Sequence, residues 1–258
     1  MVTTAQVGPD TWVIDIETKP NEVYSWGLHN QNHSISQIIK PGAIMCFAAR
    51  KVGTERIIFH AEWTAGGYDR MVRELHKIYD QADWIISYNG TSFDSKWIKA
   101  AFVQAELPPP SPYREVDLYR VVKKHFQFPS KKLTYVCEAL GLDVKVETGG
   151  QQLWNSIIRP KNRDEARAAQ KLMKSYNSND IEITEQLFNR LLPWIDGLNA
   201  GIYVDDELPV CSNCGSQNVH RRGYFYSTVA RYRRFCCADC GKWMRSKSLE
   251  SSTPLRGA

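Results

Sequence analysis

Apolar residues along this chain come first in short runs and later at helical spacing. Residues 11–17 (TWVIDIE) read as a strand, as do Ala43–Ala49 and Arg56–His60, set off by the turn residues Lys40-Pro41-Gly42 and Gly53-Thr54. From Tyr68 to Asp80, Met71, Leu75 and Ile78 share one helical face. Trp84-Ile85-Ile86 is a short buried strand running into the loop Ser87–Thr91, and Phe93–Val103 is again helical. The run from Leu107 to Pro112 holds four prolines and serves as a rigid connector. Glu115–Tyr119 fits an edge strand leading into a helix, Ser130 caps a helix that stops at Gly141, and Asn162 with Glu165 three residues on opens a long helix to about Leu192, closed by Pro193. Strands followed by helices in this mixture predict an α/β layer architecture.

Two acids interrupt this pattern. Positions i and i+2 of a strand face the same way, so Asp15 and Glu17 project together from an otherwise apolar strand. Such a pair is a solvated polar face, or it is held together by hard divalent cations, which take oxygen ligands. Asp94, at the start of a helix after a buried strand and a Gly-containing loop (ISYNGTSFD, 86–94), reads alone as a helix cap. Tyr176 and Asp180 lie one turn apart on a helix face that Ile183 and Leu187 continue into the core. A tyrosine there fits packing; the acid is the odd residue, and a metal would account for it.

Composition narrows the setting. With 43% apolar residues the 258-residue chain can build one sizeable domain and a small one. No run approaches 18 apolar residues, so no membrane span is expected. The stretch MVTTAQVGPD lacks a basic region followed by an apolar one, so the expected location is cytoplasmic, where seven cysteines point to metal or free thiols rather than disulfides. The net charge of +5 is uneven: residues 207–258 carry nine Lys/Arg against three Asp/Glu, an excess of +6, and the rest of the chain sums to −1. Such asymmetry suits an appended nucleic-acid contact surface.

Taken together, DxE on a first strand (Asp15, Glu17), YNGxxFD (ending in Asp94) and YxxxD on a late helix (Tyr176, Asp180) resemble the DEDD superfamily of 3′–5′ exonucleases, in its tyrosine subclass. The likeness spans roughly residues 11–195. PSPYREVDLYR, KKLTYVCEALGL and TGGQQLW are also similar to segments of phage-encoded exonuclease-like proteins, which would place the chain in a bacterial host's cytoplasm. The resemblance implies a ribonuclease-H-like mixed sheet flanked by helices. It implies two Mg²⁺ or Mn²⁺ held by Asp15, Glu17, Asp94 and Asp180, with Tyr176 orienting the attacking water. The implied substrate is a single-stranded 3′ end, of DNA rather than RNA; an exoribonuclease, a transposase- or resolvase-like nuclease and a non-catalytic nucleic-acid-binding protein are the alternatives. Replication or repair proteins are expected as partners in trans. Asn89 and Phe93, with Thr18, flank the acids and could grip terminal nucleotides, or serve the core or the loop.

Cys211-Ser-Asn-Cys214-Gly and Cys237-Ala-Asp-Cys240-Gly are two knuckles of a zinc ribbon, four thiolates for one structural Zn²⁺. Cys236 and His220 are weaker alternative ligands, and Cys46 and Cys137 read as buried free thiols. Between the knuckles, Arg221, Arg222, Tyr224, Tyr226, Arg231, Arg233 and Arg234 would line a two-stranded ribbon, able to hold phosphates by charge and bases by stacking, or to dock a protein, while its aromatics supply a small core. The expected domains are an exonuclease domain over 1–204, a zinc ribbon over 205–246 and a disordered tail over 247–258.

Overall fold

The computed structural model describes residues 8–143, 150–204 and 209–255. The chain divides into two units, Asp10–Leu187 and Phe188–Ala258, the second including 1–9.

In the first unit, β1 (Thr11–Lys19), the short β2 (Glu22–Val23) and β3 (Ile38–Lys40), β4 (Ala43–Lys51) and β5 (Ile57–Ala61) are followed by α1 (Gly67–Gln81), β6 (Trp84–Ser87), α2 (Asp94–Gln104) and β7 (Arg114–Asp117). Then come α3 (Leu118–His125), α4 (Leu133–Ala139), α5 (Gln151–Ile158) and α6 (Arg163–Leu191). Five of the described strands form one sheet in the order β5-β4-β1-β6-β7, antiparallel from β5 to β1 and parallel from β1 to β7. Ile14 and Ile16 of β1 pack with Met71, Leu75 and Ile98 of α1 and α2 on one face. Met45 and Ala61 pack with Leu153, Ala169 and Met173 of α5 and α6 in a second cluster. Since neighbouring strand residues face opposite ways, burying Ile14 and Ile16 against α1 and α2 turns Asp15 and Glu17 away from them.

Several boundaries differ from the sequence reading. The strand expected at 115–119 ends at Asp117, because that carboxylate accepts the Tyr119 N–H (3.0 Å) and starts α3 at Leu118. Ser130 stands two residues before the N-cap of α4, its hydroxyl accepting the Lys132 N–H (3.3 Å). Asn162 does cap α6, accepting the N–H groups of Asp164 (3.1 Å) and Glu165 (2.9 Å). Helix α5 and the β2–β3 pair have no counterpart in the expected elements. Among the described residues no helix is long and apolar enough to cross a membrane.

In the second unit, 3-10 turns at Leu192–Trp194 and Ala200–Tyr203 lead to a sheet of β8 (Val219–Tyr226), β9 (Ala230–Cys237) and β10 (Trp243–Ser252), all antiparallel. The division falls earlier than 204 because residues 192–204 are tied to the ribbon. Asn213, nearly buried, donates to the carbonyls of Leu192 (2.6 Å) and Ile195 (2.9 Å), and Lys242 donates to Ile195 (2.9 Å). Residues 247–252, expected in a disordered tail, belong instead to β10, with Leu249 opposite Tyr232 and Ser252 opposite Ala230. The expected ribbon start at 205, the end of the tail at 256–258, and Thr148 and Gly149 of TGGQQLW lie outside the described residues.

Candidate active site and metal centres

Carboxylate oxygens of Asp15, Glu17 and Asp180 lie within 4.8 Å of one another. The first two come from β1 and the third from α6, some 160 residues on, where Asp180 is 2% exposed. Three acids this close repel unless protons or cations intervene, and one nearly buried carboxylate sharpens the conflict. Oxygen-only donors of this kind suit Mg²⁺ or Mn²⁺.

The fourth predicted acid stands apart from that triad. β6 pairs with β1 only from Thr11 to Val13, so beyond this point β1 outruns its parallel neighbour. There the Asp94 carboxylate faces the backbone N–H of Ile16, the residue between Asp15 and Glu17, and that of its own helix start. Burial, aided by the charge of Asp117, pushes the Asp94 carboxyl up to about 6, although those N–H groups pull the other way. Asp94 thus borders the cluster, and its carboxylate, ionised at neutral pH at a cost from burial, gains from a nearby cation.

Two polar residues that sequence reasoning passed over organise this region. Asn177 is fully buried and donates from Nδ2 to Asp15 Oδ2 at 2.6 Å, and to the Asp15 carbonyl at 3.4 Å. Its place directly after Tyr176 on a core-facing helix was the available signal. Asp117, 5% exposed, accepts the N–H groups of Asn89 (2.8 Å) and Thr91 (3.3 Å). It thereby holds the loop that delivers Asp94, a loop in which Asn89 has a positive φ of 66°. Gly90 is required there, since a Cβ would sit 2.2 Å from Ser87 Oγ.

Tyr176 is half-buried and meets Trp154 of α5 edge-on, with ring centroids 6.3 Å apart. Trp154 in turn donates from Nε1 to the Thr18 carbonyl (3.1 Å), tying α5 to the end of β1. Asn89 is exposed, and Phe93 is 45% exposed beside Trp97, with centroids 6.3 Å apart. Cys46 and Cys137 are buried thiols; burial, then the charges of Glu17 and Asp15, raise the Cys46 pKa.

The second constellation is sulfur. Sγ atoms of Cys211, Cys214, Cys237 and Cys240 lie within 4.8 Å of one another, with Cys211–Cys240 at 3.5 Å and Cys214–Cys237 at 3.7 Å. Tetrahedral Zn–S bonds of about 2.3 Å would separate the sulfurs by about 3.8 Å, so the four thiols fit zinc. Each knuckle closes with a glycine at positive φ, Gly215 and Gly241, donating its N–H to the carbonyl of Cys211 (2.9 Å) or Cys237 (3.0 Å). Cys236 and His220 stay outside the cluster: the Cys236 thiol faces the Cys237 carbonyl, and His220 pairs with Asn218.

The ribbon's arginines stack on its aromatics on both faces of the sheet. Arg221 and Arg231 lie over the Tyr224 ring (5.3 and 4.5 Å), Arg245 over Tyr232 (4.1 Å), and Arg234 over Trp243 (4.9 Å). Arg222 and Arg233 are exposed, and Arg233 pairs with Glu250. Phe225, Tyr226, Trp243 and Leu249 are 42–68% exposed, so these side chains do not form an interior.

A family model described as RNase_H_2, of the RNase_H superfamily, matches residues 13–192. Among solved structures the chain is similar to a family B DNA polymerase from the hyperthermophilic archaeon Pyrobaculum calidifontis. The TM-score is 0.55 at 17% identity, over 72% of this chain and 25% of the polymerase chain, a likeness of fold. No curated protein matches the chain.

Proposed function

The chain belongs to the RNase_H superfamily, and from that premise we propose that it is a two-metal 3′–5′ exonuclease acting on single-stranded DNA ends. The observation that carries this reading is the meeting of Asp15, Glu17 and Asp180 within 4.8 Å. In the proposed site these three and Asp94 hold two Mg²⁺ or Mn²⁺ ions. Bound there, such a pair supplies an activated water and stabilises charge on the leaving 3′ oxygen.

The protein's own part is to place groups. Asn177 fixes the Asp15 carboxylate by donating to its Oδ2. Tyr176 orients the attacking water through its hydroxyl. A phenol hydroxyl positions a water better than it removes a proton at neutral pH. Trp154 holds the Tyr176 ring and the end of β1 in one frame. The ribbon, folded around Zn²⁺ at its four cysteines, adds affinity through exposed arginines and aromatics for phosphates and bases.

Incubation with end-labelled single- and double-stranded DNA and RNA, in Mg²⁺, Mn²⁺ or neither, tests this directly. A ladder shortening from the 3′ end of DNA and requiring the cation is the expected product. Shortening of RNA alone assigns an exoribonuclease, and binding without hydrolysis of any substrate assigns a non-catalytic protein.

A further inference from the structure

β1 and β4 form the arms of one long antiparallel hairpin, and its tip has no part in the acid site. Lys19 pairs with Ala43, and pairing resumes beyond it as Glu22 with Lys40 and Val23 with Ile38. The tip is closed by Tyr24 N–H to the Gln37 carbonyl (2.9 Å) and Gln37 Nε2 to the Tyr24 carbonyl (3.0 Å). From Tyr24 to Ile39 there is no Lys, Arg, Asp or Glu. This uncharged strap nevertheless exposes Tyr24, Trp26, Leu28 and Ile35, Trp26 at 86% and Leu28 at 95%. Apolar surface so concentrated on one exposed segment marks a binding face.

Two features identify what the face takes. At the root of the strap lies a cavity of ≈ 890 Å³, lined in part by Lys19, Glu22, Lys40, Glu62 and Arg159. Lys40 (3.8 Å) and Arg159 (3.1 Å) share the single carboxylate of Glu22, and their side chains are 72% and 74% exposed. Among the described residues one positive charge there is uncompensated, and exposed ion pairs are weak enough to yield to a phosphate. The strap also continues the acid-bearing strand: Tyr24 is seven residues past Glu17, within about 23 Å even when fully extended. Asn155, in the cavity wall, follows Trp154, which holds Thr18.

We propose that segment 20–42, with Arg159, is a stacking strap for unpaired nucleotides of the substrate strand. Tyr24 and Trp26 take bases on their rings, and Lys40 and Arg159 take backbone phosphates. Neutral aromatic surface beside cations binds single strands without sequence preference, because every base has a π-face. This rests on the nuclease reading for its substrate.

The test measures binding of a fluorescein-labelled eight-residue oligothymidylate to the full chain, with Ca²⁺ in place of Mg²⁺. Both rings are exposed, so Tyr24→Ala/Trp26→Ala should melt at the wild-type temperature. Its Kd should rise at least about tenfold, the loss of one or two stacked bases. Lys40→Ala/Arg159→Ala should flatten the slope of log Kd against log salt by about 1.4, two phosphate contacts on a single strand. An unchanged Kd in the aromatic variant overturns the proposal and leaves the strap to a protein partner. Hydrolysis of the p-nitrophenyl ester of thymidine 5′-phosphate by the wild type reports the acid site separately. A wild type inert to ester and oligonucleotide but with strap-dependent binding refutes only the nuclease reading. Hydrolysis with strap-independent binding refutes only the strap.

Discussion

Asn177 Nδ2 and Asp15 Oδ2 lie 2.6 Å apart, joining α6 to β1 across 162 positions of sequence by a partly buried hydrogen bond. A charge-assisted bond of this kind fixes a carboxylate's rotamer before any cation arrives. Asn177→Leu keeps the volume and removes the donor. The variant should bind Mn²⁺ about 10- to 100-fold more weakly by titration calorimetry while melting within a few degrees of wild type. Wild-type Mn²⁺ affinity would show that Asn177 only fills space.

Removing a cluster charge should separate stability from activity. Asp15→Asn and Asp180→Asn relieve repulsion among three close carboxylates. Both variants should therefore be at least as stable as wild type in Mg²⁺-free buffer, and both should lose nucleolysis in Mg²⁺. Turnover at the wild-type rate by either one would remove the proposed mechanism.

The raised Asp94 pKa gives a pH dependence with a definite sign. Its carboxyl titrates near 6 in the folded protein and near 3.9 in an unfolded chain. Between these values the folded state holds more protons, so its stability falls as pH rises from about 4 through 6. In Mg²⁺-free buffer, urea midpoints should register a loss on the order of 3 kcal/mol from this group. Asp94→Asn should flatten that part of the profile, and added Mg²⁺ should offset the loss in the wild type alone.

Tyr176→Phe keeps the ring against Trp154 and removes only the hydroxyl. Single-turnover rates should fall on the order of 10²–10³, the effect of one oriented hydrogen bond at a reacting centre. Oligonucleotide affinity and melting temperature should hold. A variant that melts early with an unaltered rate would assign Tyr176 to packing.

The four-cysteine cluster predicts a metal-dependent ribbon. Cys211→Ser leaves three thiols, and a module this small loses its fold with its zinc. Zinc content by mass spectrometry should drop from one to near zero per chain. Affinity for single-stranded DNA should fall most at low salt and converge with wild type as salt rises. Equal affinity at low salt would make the ribbon a protein-docking module.

Local spacing settled which way the key side chains point. Strand alternation put Asp15 and Glu17 on one face, a single helical turn joined Tyr176 to Asp180, and the CxxC spacing announced the sulfur cluster. These are properties of a few consecutive residues, so they are legible without the rest of the chain. The same locality showed Asp117 as the end of a strand but not that its side chain caps α3 and holds the loop before Asp94. It also kept the third ribbon strand out of sight, since residues 247–252 are polar apart from Leu249 and become a strand only by pairing with β9.

What each polar group meets was decided by tertiary structure. The sequence grouped four acids as equals, but packing set three together and stood Asp94 beside Ile16, where β1 outruns β6. Asn177 became the partner of Asp15 because α6 packs over the face of β1 that α1 and α2 leave uncovered. Direction follows from backbone periodicity, which neighbours in sequence impose. Partnership, burial and the resulting pKa depend on residues tens to more than a hundred positions away, brought together only when the core closes.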